Sequence, residues 1–472
     1  MGAGAGYHAP FYRPLQTFTY LLDYSLWGLR VWGYHLTNTG IHILVALTIY
    51  FLVNLLIGNR TIAFFSGLLF VAHPLAVETV AFISDRSDSL AALFMLLCLF
   101  CYIKYLDLEN AKAYVLISLT YLCALLSKEN SIVLPALLLL YHYAFQKKTG
   151  FKKILSLSSI LLLYIPFRAV ILKSLLPDIP FSMGLPQRIL GAFAAIADCL
   201  RLILFPFDLH VGYGYPPFHL THPKVIAGAG IASLLLTVAF LKRKSSKLIF
   251  FSVGWFFIAL LPVSNIFPIN EYYLYERWLY FPSIGIFLLL AERIHFIYQI
   301  KKFRIFSIFL VIGLLAFYAS LTVRQNRYWK EPITFYQRNL KYAPENWRFY
   351  HELGAEYMHT GKIPEAITLY QQALKINPNL SGTYYNLGNA YWAVRETSPA
   401  IASYRRALEI DPHYAEAYIN LGNIYYSLGK NEEAAAAYHQ ALKINPLLSI
   451  ARSNLKLLNY QQKDKEKYLQ QK

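Results

Sequence analysis

Between residues 37 and 322 the chain is a succession of apolar stretches, near 37–57, 61–75, 88–106, 112–126, 131–145, 154–172, 224–241, 248–265, 279–298 and 304–322. Most approach the ~20 residues that cross a ~30 Å hydrocarbon slab at 1.5 Å per residue, and the others are short crossings. The pattern predicts an all-α, polytopic transmembrane helix bundle of about ten crossings, an integral multi-pass protein in contact with membrane lipid. Composition agrees: 56% of the 472 residues are hydrophobic and 15% charged, where a soluble chain carries about 25% charge. Residues 188–205 are borderline.

The net charge of +18 is concentrated in short basic loops: Lys147, Lys148, Lys152 and Lys153; Lys242, Arg243, Lys244 and Lys247; Lys301, Lys302 and Arg304. That distribution marks cytoplasmic loops and sets nucleic acid aside as a partner. The helix count holds if 188–205 is re-entrant or interfacial, with Pro206, Pro216 and Pro217 shaping the external loop beyond it. Then 1–36, 71–88, Ser127–Asn130, 173–223, Ile266–Trp278 and everything after 323 share the external side. Residues 1–36 read as an external amphipathic segment without a signal peptide, with Leu15–Gly28, Trp27, Trp32 and Tyr34 suited to interfacial depth. Gly2–Gly6 follows no strand and is no nucleotide loop. The four cysteines lie in apolar or borderline segments, and the Cys98–Cys101 pair lacks a second pair or histidine. No metal, cofactor or disulfide framework is implied.

Within the apolar region, Val71–Asp88 is the exception, carrying His73, Glu78, Asp85, Arg86 and Asp88. Ionisable groups at membrane depth cost several kcal/mol unless paired or wet. Pro74 followed by four charges reads as a loop at one membrane face, either a hydrated loop with its own Asp–Arg–Asp cluster or a site of chemistry. His73, before a proline at a helix end, suits a hydrogen-bonded structural role better than metal ligation.

From about 324 the sequence turns polar and periodic. Pro344, Pro378, Pro412 and Pro446 recur every 34 residues, as do Gly354, Gly388 and Gly422; Tyr370, Tyr404 and Tyr438; and Ala373, Ala407 and Ala441. That period and residue set specify tetratricopeptide repeats (TPRs), paired helices stacked into an α-solenoid. The domains predicted are 1–36, a membrane domain at 37–323, repeats at 324–461 and a charged, fraying tail at 462–472. Arg338–Tyr342 reads as the second helix of an incomplete leading repeat, three full repeats follow, and Leu448–Tyr460 begins a capping helix. Aligned on the period, Glu352, Asn386, Asn420 and Asn454 share one position, and Asn389 and Asn423 lie three residues on, on the same helix face. Asparagine amides can pair with any peptide backbone. The row is therefore a candidate site for a protein or peptide ligand, or simply a residue common in such repeats.

H-P-x-x-x-E-x-V-A from His73 and D-R-x-D-x-L-A from Asp85 resemble the transmembrane and tetratricopeptide-repeat-containing protein mannosyltransferases and their bacterial relatives, in the GT-C superfamily. Tyr12-Arg13-Pro14-Leu15, Ser127-Lys128-Glu129, Tyr275-Glu276-Arg277 and Leu279-Tyr280-Phe281-Pro282-Ser283 match the same family. The resemblance implies sugar transfer from a polyprenyl-phosphate donor to a protein recruited by the repeats, in a bacterial inner membrane with the repeats external. It points to Arg13, His73, Arg86, Lys128, Glu129, Glu276 and Arg277 as substrate-binding residues. A lipid-linked phosphate needs cations at that depth. Arg86, Lys128 and Arg277 suit it best, with Arg13 and Arg168 behind them. The plainer alternative is snorkelling or local pairing: Arg86 with Asp85 or Asp88, Lys128 with Glu129, Arg277 with Glu276. Glu78, Asp85 and Asp88 could accept the acceptor's proton. In the family, however, an acidic pair on a first external loop does this, and neither that loop nor the helix before it precedes Tyr12 here. The expectation is a truncated or degenerate member, inactive as written. Two other classes remain open: a non-catalytic TPR membrane scaffold of an envelope complex, and a polysaccharide ligase or transporter. The last should show an inverted repeat.

Overall fold

The computed structural model describes residues 12–105, 111–146, 151–172, 183–214, 218–267 and 272–470, and among these it is almost wholly helical. It divides into two compact units, His8–Lys330 and Glu331–Lys472. The first contains α1 (Pro14–Trp27), α2 (Val31–Ile57), α3 (Arg60–Ala72), α4 (Ala76–Ala81), α5 (Arg86–Lys104), α6 (Ala111–Ser127) and α7 (Leu134–Phe145). It continues with α8 (Phe151–Leu172), α9 (Leu185–Leu204), α10 (Pro223–Lys242), α11 (Lys247–Leu260), α12 (Ser283–Gln299) and α13 (Arg304–Lys330). Every apolar stretch read from the sequence coincides with one of these helices. Five segments are long and apolar enough to cross a membrane: Val31–Ile57, Ile83–Lys104, Ile154–Leu172, Pro223–Lys242 and Lys301–Lys330. Arg60–Ala72, Ala111–Ser127 and Lys247–Val263 are shorter apolar helices among them.

Helix α5 is central, with 67% of its most apolar stretch buried, against 17% for α8 and for α13. Leu162, Leu163, Ile305 and Phe309 are exposed on those outer helices, as expected of surfaces that meet lipid. The central helix begins with Arg86, whose side chain is fully buried, so a charge enters the core wherever α5 packs.

Residues 185–204 form one unbroken helix, not a re-entrant hairpin. α9 packs against α10 so closely that a Cβ on Gly228 would stand 1.8 Å from the Phe193 carbonyl oxygen. Small residues allow this approach where helices meet in lipid. Beyond α9, β1 (Tyr213–Gly214) pairs antiparallel with β2 (Tyr272–Leu274), Tyr213 opposite Leu274 and Gly214 opposite Tyr272. The sequence reading anticipated no strands. This ladder seats the stretch that leads into Glu276 and Arg277. Pro216 and Pro217, like Lys147, Lys148 and Gly2–Gly6, lie outside the described residues.

The second unit opens with α14 (Pro332–Tyr342). Three helix pairs follow: α15 (Trp347–His359) with α16 (Ile363–Ile376), α17 (Ser381–Ala393) with α18 (Thr397–Ile410), and α19 (Ala415–Ser427) with α20 (Asn431–Ile444). α21 (Ser449–Gln470) closes the row. The glycine–tyrosine period has a steric cause. A Cβ on Gly354, Gly388 or Gly422 would stand 2.8, 2.7 and 2.7 Å from Cε1 of Tyr370, Tyr404 and Tyr438, each a buried ring packed across its helix pair. Three boundaries differ from the reading. α2 starts at Val31 and not near 37, α13 runs through 323 to Lys330, and α21 stays helical to Gln470.

Candidate functional site

The sequence-distant motifs of the first unit meet in one ion-pair network. Arg277 donates its backbone N–H to Glu78 Oε2 at 2.9 Å and its Nη1 to Glu78 Oε1 at 3.3 Å and Asp85 Oδ2 at 2.8 Å. Lys128 Nζ donates to both Asp88 oxygens at 2.7 and 2.6 Å. Arg13, at the N-terminus of α1, reaches Glu129 through Nε at 3.2 Å and Nη2 at 2.7 Å, and Ser87 Oγ through Nη1 at 3.3 Å. Arg86 pairs with Asp23, donates through Nε to Asn38 Oδ1 at 2.6 Å, and stacks its guanidinium 4.7 Å from the Tyr20 ring centroid.

The locally paired alternative is therefore overturned in its partners. Arg86 takes Asp23 and not Asp85 or Asp88, Lys128 takes Asp88 and not Glu129, and Arg277 takes Glu78 and Asp85 and not Glu276. The cations are nonetheless neutralised. Arg13, Arg86, Lys128 and Arg277, four charges, face five carboxylates, Asp23, Glu78, Asp85, Asp88 and Glu129.

Helices α1 and α2 fasten this assembly to the 80–86 turn. Gln16 Nε2 donates to the Ser84 carbonyl at 2.5 Å, Tyr20 hydroxyl to the Ile83 carbonyl at 2.7 Å, and Asn38 Nδ2 to the Val80 carbonyl at 3.1 Å. Asp23 also accepts from Thr37 Oγ1 at 2.7 Å. Asp23, Asn38, Gln16 and Tyr20 were not singled out from the sequence. Asp23 carried a usable signal, as the one acid in the apolar run Leu21–Trp27, because a carboxylate in such a helix must find a partner.

Burial pushes Glu78 up to about 7 despite Arg277. Burial would raise Glu129 as well, but the Arg13 guanidinium and its hydrogen bonds outweigh it and hold Glu129 at about 2. Burial alone would lower Arg277, yet Asp85 and Glu78 raise it above the usual guanidinium range. Asp85 uses Oδ2 for Arg277, and its other oxygen accepts no hydrogen bond from the described residues. Among the described residues no group of three or more side chains is arranged to hold a metal ion.

Glu276 turns away from this network. It accepts from the His210 backbone N–H and from the Tyr213 hydroxyl. Nearby, Asp198 of α9 accepts from Arg201 Nε at 3.2 Å, Lys224 Nζ at 2.9 Å and the Tyr273 hydroxyl at 2.7 Å. Adjacent residues Glu276 and Arg277 thus tie two separate polar clusters to one turn. His73 is a structural lock. Its Nδ1 accepts from the Leu75 N–H at 3.2 Å, which leaves Nε2 to donate to the Ile203 carbonyl at 2.9 Å. It also lines a cavity of about 490 Å³ with His35, Thr39, His42, Trp329 and Lys330, where α4 contributes Ala76, Val77, Val80 and Ala81.

In the repeats the expected asparagine row is present, but it bonds partly to itself. Asn420 Nδ2 donates to Asn389 Oδ1 at 2.8 Å, and Asn454 Nδ2 to Asn423 Oδ1 at 2.8 Å. The hydroxyls of Tyr404 and Tyr438 donate to the same two oxygens at 2.5 and 2.7 Å. Asn386 Nδ2 lies 3.5 Å from His351 Nε2.

Comparison with known proteins gives two findings. The families described as TPR repeat and tetratricopeptide repeat match residues 354–394 with 397–429, and residues 415–446. The chain is 34% identical over 149 residues to Protein O-mannosyl-transferase TMTC2 of Homo sapiens, covering 30% of this chain and 18% of that protein. It is 27% identical over 386 residues to Protein O-mannosyl-transferase F38B6.6 of Caenorhabditis elegans, covering 75% and 52%. Against Protein O-mannosyl-transferase TMTC3 of Mus musculus it is 25% identical over 391 residues, covering 73% and 42%. The chain thus spans about half, or less, of the length of these curated relatives.

Proposed function

We propose that this chain, a homologue of the TMTC protein O-mannosyl-transferases, works as a multi-pass membrane glycosyltransferase of GT-C type. It takes a sugar, mannose by kinship, from a polyprenyl-phosphate donor and passes it to a hydroxyl of a protein held by the repeats. The repeats lie on the external side of a bacterial plasma membrane. One observation carries the reading: the matched motifs around Arg13, Glu78–Asp88, Lys128–Glu129 and Arg277, with bonded partners up to 199 residues apart, converge on one carboxylate-rich network.

In this reading the acceptor oxygen attacks the anomeric carbon, the bond from that carbon to the phosphate oxygen breaks, and the lipid phosphate leaves with the bonding pair. The hydroxyl proton passes to a carboxylate. Asp85 is the best placed acceptor of it, because one of its oxygens is unengaged by the described residues, while Lys128 occupies both oxygens of Asp88. Lys128, Arg277 and Arg13 act by fixing the carboxylates.

A second reading, a non-catalytic membrane scaffold, draws support from the neutralisation of four of the five expected phosphate-binding cations, Arg13, Arg86, Lys128 and Arg277. The test supplies the purified chain with labelled polyprenyl-phosphate mannose and an extended serine/threonine polypeptide. Transfer of label, lost in Asp85→Asn, supports the enzyme. Polypeptide binding with neither donor binding nor transfer supports the scaffold and sinks the first reading.

A further inference from the structure

Helix α21 departs from the repeat pattern at the position that pairs helices. Aligned on the 34-residue period, Lys456 stands where the repeats have Gly354, Gly388 and Gly422. In each complete pair that glycine admits the tyrosine ring of the second helix, and a Cβ alone would already stand 2.7 to 2.8 Å from it. A lysine there bars the same ring, so α21 cannot accept a second helix of this pattern. The terminal elements of a solenoid ordinarily turn a polar face outward. Here Leu447, in the turn before α21, and Ile450, Leu457 and Tyr460 within it are 86, 61, 51 and 66% exposed. A contiguous apolar patch rimmed by polar residues marks an interaction surface.

The helix carries three rows. Ala451 and Leu458 are buried, clustered with Ile419, Ala441 and Tyr438 of the preceding pair. At about 100° per residue, Ile450, Leu457 and Tyr460 fall on a stripe turned away from that buried row. Arg452 and Lys456, both exposed, form a second outward row beside the stripe, and Lys463 and Lys467 continue its register at spacings of seven and four. Neither Asp464 nor Glu466 falls in the basic row. The outward half of α21 is thus part apolar and part cationic.

We propose that this face of α21 docks on the surface of a bilayer containing anionic phospholipid, with the apolar stripe at the acyl boundary and the basic row among the headgroups. An apolar row beside a Lys/Arg row is the pattern of a helix lying in that interface, and Tyr460 suits its depth. Charge complementarity selects anionic headgroups over neutral ones. A helix from a second copy or another protein fits less well. A heptad seam through Ile450 and Leu457 reaches Asp464 next, and its alternate positions are Ser453, Tyr460 and Lys467, where a seam requires apolar residues. The spans of the same chain hold α21 on a tether to a bilayer, so a modest surface suffices for the contact. The inference stands independently of the glycosyltransferase reading.

The full chain in lipid nanodiscs tests it. A fluorophore on Ser453→Cys, in a background without the four native cysteines, should be quenched by brominated lipid in discs that contain phosphatidylglycerol. Hydrogen exchange in α21 should slow there by about tenfold or more relative to discs of phosphatidylcholine alone, and high salt should reverse the slowing. Ile450→Gln with Leu457→Gln should remove the quenching, and Arg452→Gln with Lys456→Gln the dependence on phosphatidylglycerol, while exchange in α15–α20 keeps its wild-type rate. If a double variant loosens α21 itself, the single Lys456→Gln, outside the buried row, carries the same test with a smaller loss. Absence of quenching in the wild type, or equal slowing in both kinds of disc, would overturn the proposal. Slowing that follows protein concentration would assign the face to a second copy, and slowing that follows added unfolded polypeptide would assign it to a protein ligand. Either result overturns it as well.

Discussion

The two units bury polar groups by opposite strategies. In the repeats, partners sit at fixed short offsets: tyrosine to asparagine at 15 residues, in Tyr404–Asn389 and Tyr438–Asn423, and asparagine to asparagine at 31. In the membrane unit the partners are 40, 63, 116 and 199 residues apart, and no pair is repeated. The surrounding medium accounts for the difference. A repeat surface meets water, so one modest solution can be copied, and each copy contributes a little. Within an apolar bundle every charge requires its own dedicated partner, so each arrangement occurs once and its loss is severe.

Removing one partner of the deepest pair should break that contrast most strongly. Arg86→Met leaves Asp23 buried without its cation, which costs about 3–5 kcal/mol. The expected outcome is loss of the folded membrane unit in detergent. The double variant Asp23→Leu, Arg86→Met should regain much of the loss, because two apolar side chains replace a pair whose desolvation was itself costly. A single variant with unchanged thermal unfolding would show that Asp23 is rehydrated and that the pair is not dedicated.

The same contrast explains what could be read in advance. The helices were legible because length and apolarity report directly on crossing a slab, and the repeats because their period reports on stacking. The pairings were not, because the sequence reading matched each cation to its neighbour in the chain. On a helix, residues one or two apart do not face each other, which separates Arg86 from Asp85 and Asp88. Glu276 and Arg277 open a single 3-10 turn, where successive side chains point about 120° apart, and they serve different clusters. The geometric rule was available, but the identity of the true partners was not, since 199 residues of chain separate Arg277 from Glu78.

Glu78 offers the next largest effect. Its folded-state value near 7 lies above the ordinary 4.5, so the folded chain holds this proton more tightly than the unfolded one. The sign follows: stability associated with Glu78 is full below pH 4.5 and lost as pH rises through 7. Glu129, held near 2, acts in reverse, with stability present above 4.5 and lost as pH falls towards 2. Glu352 in the repeats is also raised by burial, so the informative quantity is the difference between wild type and Glu78→Gln. That difference in thermal unfolding, followed by tryptophan fluorescence, should change between pH 4.5 and 7. A constant difference across the window would mean that Arg277 keeps Glu78 ionised.

In the repeats the corresponding probe is Gly388→Ala. The added methyl would stand 2.7 Å from the Tyr404 ring, which is itself buried, and overpacking of this kind costs about 1–3 kcal/mol. Hydrogen exchange on the intact chain should show faster opening of α17 and α18, with the membrane unit unchanged. Tyr404→Leu in the same chain should relieve part of the effect. Protection lost throughout the membrane unit as well would contradict the division into two units.

The smallest effect separates structure from recognition within the asparagine row. Asn389 uses its carbonyl oxygen to accept from Tyr404 and Asn420, while its Nδ2 donates to none of the described residues; Asn423 repeats the arrangement with Tyr438 and Asn454. The acceptor half therefore joins neighbouring repeats, and the donor half is available to the carbonyl of an extended peptide. Alanine at 389 removes both and leaves two donors unmet, a cost of about 1 kcal/mol per bond. Aspartate at 389 keeps the acceptor and removes only the donor. If the row binds polypeptide, Asn389→Asp should retain the protection of α17–α19 yet weaken binding of an unfolded polypeptide, whereas Asn389→Ala should lose both. If Asn389→Asp binds polypeptide as the wild type does, the amide donors play no part in recognition, and the asparagines recur solely because each repeat needs an acceptor for its own tyrosine and for the asparagine of the next.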